Sequence, residues 1–236
     1  MISETQFARQ YASAWRTLTP MSEQFVRNVN GAWCEQVFSP IRSRLLPFRR
    51  WLRNEIAFRV FVADMQVSPR PQSLFISNDM VNQIFDNIQT DERWRKLRVQ
   101  DPLYQPERQE VETIWRRLIQ FFCRDTAFTN VLSPSFSGCG IIDSCAGDII
   151  CGDTLYEVKA AGRFFRSIDL RQLLIYSALN KQAGTYGFVN IGVFNPRVGV
   201  CYRSPLSEVC YEVSGKSADE LLGDIIETAS GADISH

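Results

Sequence analysis

Histidine is almost missing from these 236 residues: the one example is the final residue, His236. Without an internal imidazole the chain cannot build a Ser-His-Asp or Cys-His nucleophile system, a His-ligated zinc site or a histidine general base. An enzyme made from this sequence must work with carboxylates, lysine, cysteine or a bound metal. The seven cysteines, Cys34, Cys123, Cys139, Cys145, Cys151, Cys201 and Cys210, contain no C-x-x-C pair. Their odd number argues against a disulfide framework and for reduced intracellular thiols. Cys139, Cys145 and Cys151 recur at even spacing, as three ligands of an iron–sulfur cluster or, more simply, as buried free thiols. Also lacking is any apolar run of the roughly 18 residues that a membrane span needs. Met1-Ile2-Ser3-Glu4 carries an acid where a signal peptide carries bases. The expectation is a cytoplasmic protein with no membrane partner.

Lysine is scarce as well, with 4 residues against 22 arginines. The formal net charge of zero conceals a division: residues 1–124 hold 18 Lys and Arg against 13 Asp and Glu, and residues 125–236 hold 8 against 13. Arginines crowd at Arg42, Arg44, Arg49, Arg50, Arg53 and Arg59, and again at Arg93, Arg95 and Arg98 around Trp94. A guanidinium fork pairs two phosphate oxygens and stacks on bases, so such clusters suit a nucleic-acid backbone, with Arg49, Arg50 and Arg53 as contacts. The plainer reading is a set of solvated helix faces. With 45% hydrophobic residues the chain has the means to bury a full core.

Residues 3–66 read as helices broken at Pro20, Pro40 and Pro47, and Ser77-Asn78-Asp79 caps a further helix. Val111, Ile114, Trp115, Leu118 and Phe122 form one apolar stripe, which predicts an amphipathic helix over 107–122. Beyond residue 130 the period changes to strands and helices in alternation. A capping box at Ser217-Ala218-Asp219-Glu220 opens a last helix. The pattern predicts an α/β protein in two parts: a helical, Arg-rich region over 1–100 and an α/β domain over 101–236.

The stretch from Gly147 to Ala160 carries the chemistry. Two β-rich runs flank Gly152-Asp153, and glycine at the first central position of a two-residue loop predicts a type II′ hairpin. Counting outward pairs Cys151 with Thr154 and sets Asp148 opposite Glu157. Directly opposed side chains share a face of the sheet, and Lys159 falls on that face two residues further along. Two carboxylates repel unless a cation lies between them, and hard oxygen ligands suit Mg²⁺ or Mn²⁺. Such a metal lowers the pKa of bound water and polarises a phosphoryl oxygen, while a lysine orients the nucleophile or stabilises developing charge. The competing reading is an exposed, salt-bridged trio.

Asp148 and, after eight intervening residues, Glu157-Val158-Lys159 resemble the motif of the PD-(D/E)XK nuclease superfamily. Gln172 and Tyr176, at i and i+4 on one helix, look like the Q-x-x-x-Y motif of its RecB-type branch. The resemblance covers somewhat over half of the chain. It implies a restriction-endonuclease-like core, a mixed sheet flanked by helices in the order α-β-β-β-α-β, and Mg²⁺-dependent hydrolysis of phosphodiester bonds, with DNA as the favoured substrate in repair or defence. Asp148, Glu157, Lys159, Gln172 and Tyr176 are then the catalytic set, with Asp148 and Glu157 as metal ligands. The branch often draws a histidine from the helix ahead of the sheet; here Glu107 or Glu110 could take its place. Arg163, Arg166 and Arg171, at the start of the Gln172 helix, are placed to hold the scissile backbone. Gln172 and Tyr176 imply capture of an unpaired nucleotide by an amide hydrogen bond and a stacking ring. A catalytically silent module that binds nucleic acid or a partner protein is the alternative, and a homo-oligomer is compatible with either.

Overall fold

The computed structural model describes residues 1–43, 45–68, 76–90, 103–124 and 129–231, the side chain of Phe48 excepted. The Arg93–Trp94–Arg95–Arg98 cluster, Arg44 and the expected boundary at residue 100 lie outside the described residues. Three short helices, α1 (Glu4–Gln10), α2 (Ala12–Leu18) and α3 (Ser22–Asn28), lead through a π-helical turn (Val29–Trp33) to strand β1 (Glu35–Gln36). A 3₁₀ turn (Pro47–Arg49) opens α4 (Arg50–Val67), followed by α5 (Asn78–Thr90) and α6 (Gln105–Phe122). Then come β2 (Asn130–Leu132), β3 (Ser135–Phe136), β4 (Cys145–Ala146), β5 (Ile149–Cys151) and β6 (Thr154–Val158). The chain continues through α7 (Ser167–Ala183), β7 (Asn190–Asn195), β8 (Val200–Pro205), α8 (Leu206–Ser214) and α9 (Ala218–Gly231).

Six strands form one mixed sheet in the order β1-β8-β7-β6-β5-β2, and β3 pairs with β4 separately. Among the described strands of this sheet only β6 and β7 run parallel. Parallel neighbours need a crossover, and α7 supplies it. The β5–β6 hairpin has the expected register, Cys151 opposite Thr154 and Ile149 opposite Tyr156. Gly152 has φ +58° while Asp153 keeps a negative φ, which separates type II′ from type I′, where both central residues are positive. Gly192, beside Tyr156 on the parallel strand, leaves the room that the Tyr156 ring occupies.

Helices cover both faces, so each strand alternates between two cores. Ile150, Leu155, Ile191 and Val193 pack with residues of α1, α2, α3, α7, α8 and α9. Ile149, Tyr156 and Phe194 pack on the other face with α4, α5 and α6. The expected division into a helical region and a separate α/β domain therefore has no counterpart in the packing. β1 is a strand of the same sheet, α1–α3 line one core and α4–α5 the other. The physical reason is that a central sheet must bury both faces, and α6 on one and α7–α9 on the other leave part of each to the N-terminal helices.

The cysteine trio is also divided: Cys139 and Cys145 pack against one core and Cys151 against the other. An iron–sulfur cluster needs its thiolates around one point, so this reading is abandoned. Among the described residues no helix is long and apolar enough to cross a membrane.

Candidate active site

Glu157 is the fourth residue of β6 and points to the α7 face with Leu155, whereas Tyr156 points to the α6 face. Asp148 lies one residue ahead of β5, where its backbone carbonyl accepts from Ser133 N (2.9 Å) and its Oδ2 accepts from Val158 N (2.6 Å). Lys159 lies one residue past β6, its N–H held by the Phe194 carbonyl of the parallel strand (2.8 Å). Gln172 comes from the second turn of α7 and is 6% exposed.

These side chains meet. Lys159 Nζ donates to Glu157 Oε1 (2.5 Å) and to Gln172 Oε1 (2.8 Å). Gln172 Nε2 donates to Thr5 Oγ1 (3.1 Å), and Thr5 Oγ1 donates to Glu4 Oε1 (2.8 Å). A continuous relay thus runs from the lysine to the first helix of the chain. Glu157 Oε2 is buried with no hydrogen-bond partner.

The electrostatics follow from crowding acids at the edge of a core. Burial raises the pKa of Asp148, and the neighbouring Glu157 carboxylate raises it further against the pull of Lys159. Glu157 is raised by burial, partly offset by Lys159. Burial opposes the charge on Lys159, but Glu157 and Asp148 outweigh it and hold the ammonium above its ordinary pKa. Three further acids act on this centre: Glu55 of α4 on Asp148, and Asp169 of α7 and Glu4 of α1 on Glu157. Among the described residues no group of three or more His, Cys, Asp and Glu side chains gathers as a metal cage. Asp148 and Glu157 are the pair available to a hard cation. Both are hard oxygen donors, and Glu157 Oε2 is free of any hydrogen-bond donor, which is the donor chemistry that a hard cation takes.

Tyr176 is brought to the same wall of the site but not to its surface. Its ring is 3% exposed and stacks on Phe136 at 5.3 Å and 16°, so it is a core residue rather than a platform for a base. Burial raises its pKa, and Glu157, Glu4 and Asp148 add to the shift.

Glu107 and Glu110 are placed elsewhere. On the α4 side, Glu107 pairs with Arg53 (3.0 Å) and Arg49 (3.2 Å), while Glu110 takes Arg53 Nε (2.9 Å), Arg197 Nη1 (2.5 Å) and Ser43 Oγ (2.5 Å). Despite burial, these donors hold the Glu110 carboxyl below its usual range. Neither glutamate is therefore open as a metal ligand, and Arg49 and Arg53 are not surface contacts for phosphate. An acid pair at i, i+3 inside an apolar stripe, matched by an arginine pair at i, i+4 across the start of α4, was the sequence signal for a buried ion-pair network.

Of the other arginines, Arg163 forms two bonds to Asp169 (2.7 and 3.0 Å), and Arg171 lies over the Trp15 ring at 5.6 Å with Nη1 on the Ala8 carbonyl. Arg166 is exposed. Arg50 lies so close to Gly162 that a Cβ there would meet its guanidinium. Glu4, Thr5 and Glu55 went unnoticed in the sequence because nothing local links residues 4, 5 and 55 to a hairpin about 100 or 150 positions away. No family model, curated protein or solved structure matches this chain.

Proposed function

We propose that the chain is a divalent-metal-dependent nuclease that hydrolyses phosphodiester bonds of nucleic acid, with DNA as its favoured substrate. The observation that carries this reading is the convergence of Asp148, Glu157, Lys159 and Gln172 at one point, with a buried Glu157 oxygen that no donor satisfies. The order α6, β2, β5, β6, α7, β7, with β7 parallel to β6, supports a restriction-endonuclease-like core of the PD-(D/E)XK type. The Gln172 amide on Lys159 supports the RecB-type likeness.

Asp148 and Glu157 would hold Mg²⁺ or Mn²⁺, which characteristically keeps several waters and needs few protein ligands. When bound, the ion supplies a more acidic water and a polarised phosphoryl oxygen. Lys159 is held charged at the same point, where its ammonium donates to a non-bridging phosphate oxygen as charge develops. Gln172 fixes the lysine's direction by accepting one of its three protons.

The test is cleavage of linear, circular and single-stranded DNA and of RNA, with and without Mg²⁺, by the wild type and by Asp148→Asn and Lys159→Ala. Metal-dependent cleavage that falls at least about a hundredfold in each variant is expected. Wild-type rates in either variant would remove the hairpin from the chemistry. A catalytically silent nucleic-acid-binding module is the second reading, favoured by the two carboxylates where a metal cage has three or more ligands; calorimetry showing no Mg²⁺ binding would select it.

A further inference from the structure

The connection between β6 and α7, residues 159–166, is bonded along its length to side chains from five different elements. Ala160 O accepts from Asn54 Nδ2 and from Arg197 Nε (3.2 Å). Asn195 Nδ2 holds both Ala161 O and Arg163 O at 2.9 Å. Phe164 O accepts from Arg163 Nη1 (2.8 Å), whose guanidinium is itself fixed by Asp169. Asn30 takes both the N–H and the carbonyl of Phe165 (3.1 and 2.9 Å), and Asp169 caps Arg166 N (2.9 Å). The buried Arg53–Glu110–Arg197 network supports this frame from behind, through the arginine on Ala160.

A loop so bound cannot fold an apolar side chain back on itself. Phe165 is 5% exposed and enters the core, yet its neighbour Phe164 is left 52% exposed. Along the same loop Arg166 is exposed, and the Arg50 guanidinium lies against Gly162. An exposed ring two residues before an exposed arginine, on a loop that starts at Lys159 and is fixed at its far end by Asp169, is a match for a base and its phosphate: the flat ring stacks on any base, and the arginine answers the backbone charge.

We propose that Phe164 stacks the base of an unpaired nucleotide next to the scissile phosphate, with Arg166 holding the neighbouring phosphate. The inference rests on the nuclease reading and names its substrate as single-stranded or frayed nucleic acid. A base inside an intact duplex cannot offer its face to the ring.

The test is binding without metal, in full-length protein carrying Asp148→Asn so that no cleavage intervenes. Fluorescently labelled single strands, blunt duplexes and closed circular duplexes are compared by anisotropy. Phe164→Ala should weaken single-strand binding by roughly tenfold and leave closed duplex binding unchanged. Phe164→Trp should keep the affinity, and its added emission should be quenched on binding. Arg166→Ala should lower the slope of log K against log salt by about one. A Phe164→Ala protein that binds single strands like its parent, one that loses single strands and closed duplex equally, or an unquenched Phe164→Trp would each overturn the stacking site while the nuclease reading stands. A parent that binds none of the three nucleic acids would overturn both.

Discussion

Asp148 is a residue whose folded environment works against its own charge. Its pKa is pushed up to about 8 by burial and by Glu157, whereas in the unfolded chain it titrates near the ordinary value of about 4. Between those values the folded state binds the proton more tightly, so stability is greatest on the acid side and declines as pH rises towards 8. We expect the metal-free wild type to lose urea resistance from pH 5 to pH 8 more steeply than Asp148→Asn, and the asparagine variant to melt higher at pH 8. Mg²⁺ should raise the wild-type melting temperature at pH 8 and leave the variant unmoved. Equal slopes in metal-free wild type and variant would mean that the carboxyl carries no such penalty. Arg53 is the opposite case, a cation 1% exposed between two carboxylates. Removing it strips both carboxylates of a shared buried partner and leaves Glu107 to Arg49 and Glu110 to Arg197, so Arg53→Ala should cost about 3 kcal/mol in chemical denaturation. A near-neutral effect would show that water reaches the network.

Among the elements, α1 has a role out of proportion to its seven residues. The parallel bridge between Ile2 and Ile142 sets its start, with Ile2 N on Ile141 O (2.7 Å) and Asp143 N on Ile2 O (2.9 Å). A capping box between Ser3 and Gln6 closes its first turn. Thr5 and Glu4 thereby reach Gln172. Thr5→Val keeps the shape of the side chain and removes the hydroxyl, leaving the Gln172 amide without its acceptor. We expect this variant to lower kcat several-fold with KM and melting temperature little changed, and Thr5→Ser to restore the rate. An unaltered kcat in Thr5→Val would reduce α1 to a packing element. The hairpin illustrates how far local rules reach. Its turn type and register follow from Gly152 and the flanking β-formers, but the last pair that the ladder supports is Ile149–Tyr156. Asp148 comes to the site as an acceptor for Val158 N rather than as a ladder residue.

At the scale of the molecule, the two faces of one sheet unite the chain. α4 packs along α6 over one face and α1 and α3 against α7 over the other. Residues 101–236 alone would expose both cores, and we expect that fragment to be unfolded or aggregated, read by collapsed chemical-shift dispersion and loss of near-ultraviolet dichroism. A fragment with native dispersion would restore the two-part organisation. The arginines of the first half have a structural role within it: Arg49 and Arg53 neutralise Glu107 and hold Glu110. They join α4 to α6 rather than reaching for a ligand.

Short-range physics was legible in the sequence. The apolar stripe of α6, the capping boxes, the Gly152 turn, the hairpin register and the strand alternation that sets Glu157 and Lys159 on one face depend on neighbours within a few residues. Tertiary structure alone decided which charges meet. Whether an arginine faces solvent or a buried glutamate depends on what packs over its helix, which is why Arg49, Arg53, Glu107 and Glu110 form a network and Tyr176 lies on Phe136. The same holds for Glu4 and Thr5, brought through Gln172 to Lys159 only because the first helix packs on α7, a helix far away in sequence.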